Sequence, residues 1–324
     1  MTNVWTHGRT KHELTGAVVV FYHPDAGCVQ RANALAEIAH CVIIDNTEQA
    51  SSASDLGLED DIVYIANGAN LGIATAINQG IEVLIKAGCT SAFIFDQDSE
   101  PSSQLIRDLP CLLEKQLNHG TPVALMGPAF EDMRFGGVAP FVRFKYWKLQ
   151  RITPVGTQPI EVDYLISSGS CINLAAWRNI GPMDESLFID LVDLEWCIRA
   201  QLKGYLVLGA PMLRLAHKLG DEPVRVFGRV YPSHSPLRHY YISRNTVALI
   251  KRRYVPCNWK STELVKIPVR FLIYGFFMKP RLKHLWMSFI GLWHGLMGRT
   301  GPLKKFITYC IICGMLDLPN LFKI

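Results

Sequence analysis

Asp96 and Asp98 stand one residue apart at the end of an apolar run, residues 92–95, and are followed by Ser99-Glu100-Pro101-Ser102. Two carboxylates closing a buried strand place hard oxygen ligands at a sheet edge. Mg²⁺ and Mn²⁺ favour such ligands and usually complete their shell with phosphate oxygens of a substrate. The spacing therefore suits a nucleoside-diphosphate site, although a solvated turn after a strand has the same composition. Asp45-Asn46 closes another apolar run, residues 41–44. A carboxylate there can accept the imide N–H of a nucleotide base; a turn-forming Asp-Asn reads the same. Asn70-Leu71-Gly72 precedes a helical pattern. Backbone N–H groups at a helix start favour anions, and a glycine lets them come close; an ordinary helix start is the plain alternative.

The elements that must position these residues are legible from periodicity. Residues 16–22 (GAVVVFY), 41–44, 62–65, 92–95 and 123–127 are short, apolar and largely β-branched or aromatic, as buried strands are. Residues 29–39, 73–87 and 101–117 carry helical spacing between them. Strands alternating with helices, with polar residues at each strand's carboxyl end, predict a mostly parallel sheet with a ligand crevice along that edge. Residues 130–160, with several Gly and Pro, read as an irregular loop over the site. Residues 187–203 read as a helix rich in acids at its start, residues 205–208 as a strand, and His217 follows in a polar loop.

The 324 residues suffice for one large α/β domain with an appendage. The net charge of +5 hides an asymmetry. Residues 251–324 hold 13 Lys or Arg against Glu263 and Asp317, so the preceding body is mildly acidic. Within that tail the uncharged apolar stretches, 271–278, 285–298 and 306–316, fall short of the roughly 20 residues that span a bilayer. Basic residues interrupt them, and Trp286 and Trp293 lie among them, a composition suited to amphipathic helices in a membrane interface. A helical subdomain packed on the body or on another subunit is the alternative. The N-terminus shows no apolar signal-peptide core, and nine scattered cysteines, an odd number, do not form a disulfide framework. Cys310 and Cys313 have no second pair, so zinc is not expected there. These features fit a reducing, cytoplasmic location.

Five features occur in one order: a strand ending near His23-Pro24, Asp45-Asn46, Asn67-x-x-Asn70-x-Gly72, Asp96-Gln97-Asp98, and the acidic run 190–196. With Gly181-Pro182-Met183-Asp184-Glu185 and Arg238-His239-Tyr240-Tyr241-x-x-Arg244-Asn245, the order resembles family 2 glycosyltransferases of the GT-A fold. It is most similar to rhamnosyltransferases of cell-surface polysaccharide assembly. The resemblance covers about residues 16–250. It implies a GT-A (Rossmann-like) catalytic domain, 1–250, followed by a basic, aromatic-rich C-terminal amphipathic helical segment, 251–324, that associates with membrane or oligomerises.

The resemblance also implies roles. Asp45 would hold the base, and Asn70, Gly72 and Gln97 would line the nucleotide-sugar site. Asp98 would be the direct ligand of Mg²⁺ or Mn²⁺, and Asp96 would contact the ribose, or the metal through water. His217 falls where related enzymes place another metal ligand, and the fork of Arg244 suits the diphosphate. Asp193 would be the base that takes the acceptor's hydroxyl proton; Val192 stands where many relatives carry a Glu beside it. Asp190, one helical turn earlier if the segment is helical, is the second candidate. Trp196 packs either against the acceptor sugar or in the core. The chain lacks the Gln-x-x-Arg-Trp signature of processive synthases.

The expected reaction is an inverting, metal-dependent transfer of L-rhamnose from dTDP-L-rhamnose to a lipid-linked saccharide, at the cytoplasmic face of the cell membrane. UDP-galactofuranose or UDP-N-acetylglucosamine as donor is the nearest alternative, and a non-catalytic saccharide-binding scaffold the next. A nucleotidyltransferase would want a basic, Gly-rich loop after the first strand, and residues 19–27 lack one. Nucleic acid is not an expected partner; a homo-oligomer is possible through the tail.

Overall fold

The computed structural model describes residues 15–303, apart from 133, 135, 136, 146, 147, 217–220, 227 and 228. His217 and the apolar stretch 306–316, with Cys310 and Cys313, therefore lie outside the described residues.

The first half alternates strand and helix: β1 (Thr15–Phe21), α1 (Ala26–Ala36), β2 (His40–Asp45), α2 (Ala53–Leu56), β3 (Val63–Ala66), α3 (Ile73–Lys86), β4 (Ser91–Asp96) and α4 (Ser103–Asn118). β1 pairs in parallel with β2 and β4, and β2 with β3. Every residue of β1 after Thr15 is buried. Side chains alternate: Val18 and Val20 join the apolar cluster on one face, and Ala17, Val19 and Phe21 the cluster on the other. Each such buried Val or Phe contributes about 1.5–3 kcal/mol of apolar transfer energy. Polar residues start the helices: Asp25 accepts from the Cys28 N–H and Ser102 from the Leu105 N–H.

The second half completes the sheet. β5 (Val123–Asp132) is followed by the short β6 (Gly137–Val138), the hairpin β7 (Phe141–Lys145) and β8 (Lys148–Ile152), and β9 (Ile160–Val162). β10 (Cys171–Asn173) lies antiparallel between β4 and β5, and leads into α5 (Leu174–Ile180) and α6 (Val192–Leu202). β11 (Leu206–Ala216) runs parallel to β5 and antiparallel to β9. The order of the main sheet is β3-β2-β1-β4-β10-β5-β11-β9. The α/β reading, a mostly parallel sheet flanked by helices, thus holds. The stretch 130–160 is more regular than expected: cross-strand bonds of β7 and β8 organise it into a ribbon.

A second hairpin, β12 (Asp221–Val226) and β13 (Arg229–Ser233), precedes three helices: α7 (Pro236–Lys251), α8 (Cys257–Phe277) and α9 (Arg281–Leu296). The boundary expected after residue 250 would cut off the last residue of α7, and α9 returns onto α7. Gly291 and Gly295 make this approach possible, since a Cβ at either would stand within 2.7 Å of the Tyr240 or Arg244 carbonyl oxygen.

Candidate active site

Register puts the candidate donor residues side by side. Phe21 is level with Asp45 and Val20 with Asp96, so the carboxyl ends of β2 and β4 flank the end of β1. Asp45 is 1% exposed. Its Oδ1 accepts the Thr47 N–H at 2.8 Å and its Oδ2 the Tyr64 hydroxyl at 2.8 Å. Burial and this bond raise the Tyr64 phenol above its ordinary range. Each oxygen of Asp45 keeps a second lone pair.

Beyond β4, Asp98 is exposed and Asp96 partly buried. Between them, Gln97 turns inward. Its Oε1 accepts the Tyr22 N–H at 2.8 Å and its Nε2 donates to the Tyr22 carbonyl at 3.2 Å. Gln97 therefore fastens β4 to β1, with both ends of its amide bonded to the Tyr22 backbone. Ser168, in the turn 167–170, accepts the Asp96 N–H at 3.1 Å and pairs with the Ser99 hydroxyl at 2.8 Å. The small-residue turn thus seats the Asp96–Ser99 loop on β10's approach.

Asn70 accepts the Gly72 N–H at 3.0 Å, shaping the entry to α3. Gly72 has a φ of 89°, and a Cβ there would lie 2.6 Å from the carbonyl oxygen of Phe188. The space left by its missing side chain is filled by Phe188, whose carbonyl also caps α3 by accepting the Ile73 N–H at 2.8 Å. The close approach that Gly72 permits is thus to the chain itself, which corrects the expectation of an open, nucleotide-facing helix start.

Phe188 belongs to the segment that carries the candidate base. α6 begins only at Val192, so Asp190 is not on its helical face, contrary to the expectation. Phe188, Asp190 and Leu191 have φ of 65°, 65° and 62°. With ψ of −63° at Phe188 and the Ile189 N–H bonded to the Leu187 carbonyl at 2.8 Å, Phe188 centres a γ-turn of the rarer hand. Such backbone costs of order 1 kcal/mol per residue and persists only where surrounding structure enforces it.

Asp193 occupies the first turn of α6, against buried side chains that include Ile94, Met183 and Trp196. Burial raises its carboxyl to about 6, and the negative charge of Asp190 adds to this; backbone N–H bonds, the Leu194 N–H at 2.8 Å among them, oppose it. Asp190 pairs with Arg238 at 2.5 Å. Trp196 is 1% exposed, stacks on Trp177 and donates to the Gly181 carbonyl, so it is a core residue.

Arg244 requires a correction. It is 1% exposed and its guanidinium donates to the carbonyls of Leu187, Ser186 and Gly301 and to Asn245 Oδ1. It also lies over the Tyr241 ring at 4.9 Å. With its donors spent on backbone, it does not present a fork to a diphosphate. The sequence assigns Tyr64 no role and marks Asn245 only as the end of the Arg238–Asn245 motif; a polar residue in a buried helix face is the sign of its part in the fold.

Comparison with known proteins gives a consistent answer. No family model matches the chain. The dTDP-rhamnosyl transferase RfbF of Shigella flexneri is 30% identical over 292 residues, 88% of this chain and 96% of that protein. The chain is a GT-A glycosyltransferase related to the rhamnosyltransferases. The low-salt glycan biosynthesis hexosyltransferase Agl10 of Haloferax volcanii is 22% identical to this glycosyltransferase over 89% of its chain and 92% of that protein. Among solved structures, GalNAc-T7 with UDP, GalNAc and Mn²⁺ shares its fold, with a TM-score of 0.52 and 15% identity. That match covers 74% of this chain and 48% of the other, so the glycosyltransferase spans about half of that protein.

Among its described residues the glycosyltransferase has no group of three His, Cys, Asp or Glu side chains that could hold a metal. Its accessible donor set at the sheet edge is Asp98 with Asp96, both hard oxygen ligands. This set fits a Mg²⁺ or Mn²⁺ ion that draws the rest of its shell from phosphate and water. Glu195, by contrast, is consumed in structure: it is 1% exposed and is held by Arg199 at 2.7 and 2.9 Å and by Tyr254 at 2.6 Å.

Proposed function

We propose that this glycosyltransferase moves L-rhamnose from dTDP-L-rhamnose to a hydroxyl of a lipid-linked saccharide, with inversion at the anomeric carbon. The observation that carries the reading is the 30% identity to a dTDP-rhamnosyl transferase across nearly the whole of both chains. The acceptor oxygen attacks the anomeric carbon and the bond to the nucleotide diphosphate breaks, leaving its electron pair on the departing phosphate. Asp193 takes the acceptor's proton. A carboxyl raised to about 6 is still ionised at pH 7, yet is a stronger base than an ordinary Asp. Charge on the anomeric carbon develops as in other glycosyl transfers.

Asp98, with Asp96, would hold a divalent cation, which when bound offsets the charge growing on the diphosphate. Asp45 uses its remaining lone pairs toward the base, and Asn70 lines the nucleotide side. Arg238, partly exposed and paired with Asp190, replaces Arg244 as the candidate to face the diphosphate.

The lipid-linked acceptor puts the enzyme at a membrane surface, on its cytoplasmic face. No described helix is long and apolar enough to cross a membrane. Instead α9 exposes Leu282, Trp286, Phe289 and Trp293 at alternating spacings of four and three, with Lys279 and Arg281 exposed beside them. This is the pattern of a helix lying in an interface.

The reading is tested by incubating the full-length enzyme with Mg²⁺ or Mn²⁺ and a panel of nucleotide sugars while following nucleotide release. Slow metal-dependent release from dTDP-L-rhamnose, above the UDP-sugars, is expected. Preference for a UDP-sugar would overturn the donor. For the membrane part, Trp286→Glu with Phe289→Glu should abolish sedimentation of the full chain with anionic liposomes; unchanged sedimentation would refute it.

A further inference from the structure

The backbone of residues 186–190 is gripped from outside its own segment. The Ser186 carbonyl accepts the Gly301 N–H at 2.8 Å and Arg244 Nη2 at 3.4 Å. The Leu187 carbonyl accepts Arg244 Nη2 at 2.8 Å and Asn245 Nδ2 at 3.0 Å. The carbonyls of Ile189 and Asp190 accept the same Asn245 Nδ2 at 2.7 and 2.9 Å. One side-chain amide thus serves three carbonyls across a turn whose residues would not hold left-handed dihedrals unaided. Asn245 is fully buried, and its Oδ1 is tied to Arg244 Nε at 2.9 Å, which fixes which end of the amide faces the turn.

We propose that Arg244 and Asn245 are positioning residues that clamp the turn 186–190 and so aim Asp190 and Asp193 at the acceptor hydroxyl. This rests on the assignment of Asp193 as base. The clamp acts through the chain. Asp190 carries the last gripped carbonyl, Leu191 is the left-handed cap of α6, and Asp193 lies in the first turn of that helix. A carbonyl released from Asn245 lets the γ-turn relax and rotates the start of α6. A lysine at 244 keeps the charge but has no fork to span two carbonyls and Asn245. An aspartate at 245 keeps the shape but turns lone pairs toward carbonyl oxygens.

The test compares full-length wild type with Arg244→Lys and Asn245→Asp by three readouts. The first is amide hydrogen exchange across residues 186–193, the second is donor affinity by calorimetry, and the third is the pH dependence of kcat for transfer. Exchange should rise in that segment, with donor Kd within about twofold and kcat down by about 10- to 100-fold, the scale of a small misplacement of a reacting group. The acidic limb should move down from about 6 toward the ordinary carboxylate range as Asp193 gains water. The titratable groups facing Asp193 are Asp190, Tyr164 after β9 and Cys197 on the next turn of α6; Arg244→Lys leaves every charge in place, whereas Asn245→Asp adds a carboxylate beside Asp190, so the shift of the limb is read from Arg244→Lys.

Unchanged exchange in 186–193 would overturn the clamp whatever the activity. So would kcat and donor affinity falling together with an unmoved limb, because that marks a general loss of structure. Should Asn245→Asp fail to fold, Arg244→Lys decides alone. A folded wild type that turns over no donor would sink the base assignment, while the exchange measurement would still show whether the two residues hold the turn.

Discussion

The donor edge and the base turn are built by opposite means. At the donor edge, Asp45, Asp96 and Asp98 are where strands of a parallel sheet run out, with Thr47 and Tyr64 bonded to Asp45 and the Tyr22 backbone bonded to Gln97. At the base turn, Phe188, Asp190 and Leu191 adopt dihedrals they would avoid alone, and groups from α3, α7 and the segment after α9 hold residues 186–190. The difference teaches that strand-end carboxylates come with the sheet itself, whereas the turn before the proposed base is held by contacts spanning over a hundred residues of chain.

The sharpest way to separate the two regions is Asp193→Asn. It should lower kcat by about 10²- to 10⁴-fold, the usual worth of a general base, with donor affinity unchanged by calorimetry. A parallel fall in donor affinity would erase the distinction. In the wild type, only ionised Asp193 accepts a proton, and its carboxyl is raised to about 6. The kcat should therefore be level above that pH and fall about tenfold per unit below it, as a pH–rate profile would show.

Gly72→Ala attacks the junction of the two regions. Its φ of 89° and the Phe188 carbonyl at 2.6 Å from the new Cβ make it costly by about 2–3 kcal/mol, measured by urea unfolding. It should damage donor affinity and kcat together, unlike any change confined to one side. Gln97→Ala loses two bonds to the Tyr22 backbone and should cost about 1–2 kcal/mol, weakening donor binding while leaving the acidic limb in place. The smallest effect is expected of Tyr64→Phe, which removes one bond to Asp45. About 1 kcal/mol of stability should go, with a modest change in selectivity among nucleotide bases in competition binding.

The same division governs what the sequence disclosed. The apolar runs of β1, β2 and β4 and the polar residues that end them have a period-2 and a terminal signature, so the sheet and the strand ends beside Asp45, Asp96 and Asp98 are legible. Asp193 is marked by the resemblance of its neighbourhood, and the structure places it in the first turn of α6. The geometry of Asp190 is not legible: nothing in Phe188-Ile189-Asp190-Leu191 announces left-handed backbone, because the cause lies in Asn245 and Ile73. Arg244 illustrates the converse. A guanidinium suits phosphate by its chemistry, and only the fold reveals that carbonyl oxygens have claimed it. The β7–β8 ribbon was hidden by the Gly and Pro around it.

The contact between Gly301 and Ser186 has a consequence for how the enzyme comes into being. The sheet that presents Asp45 and Asp98 can form as soon as its strands leave the ribosome. The turn that aims the carboxylates, however, waits for a strap more than a hundred residues downstream. A chain shortened before α9 would leave Arg244 without the Gly301 carbonyl and the Ser186 carbonyl without its amide partner. On the proposed assignment, such a fragment keeps the strand ends that carry Asp45 and Asp98 and loses the contacts that hold the turn before Asp193.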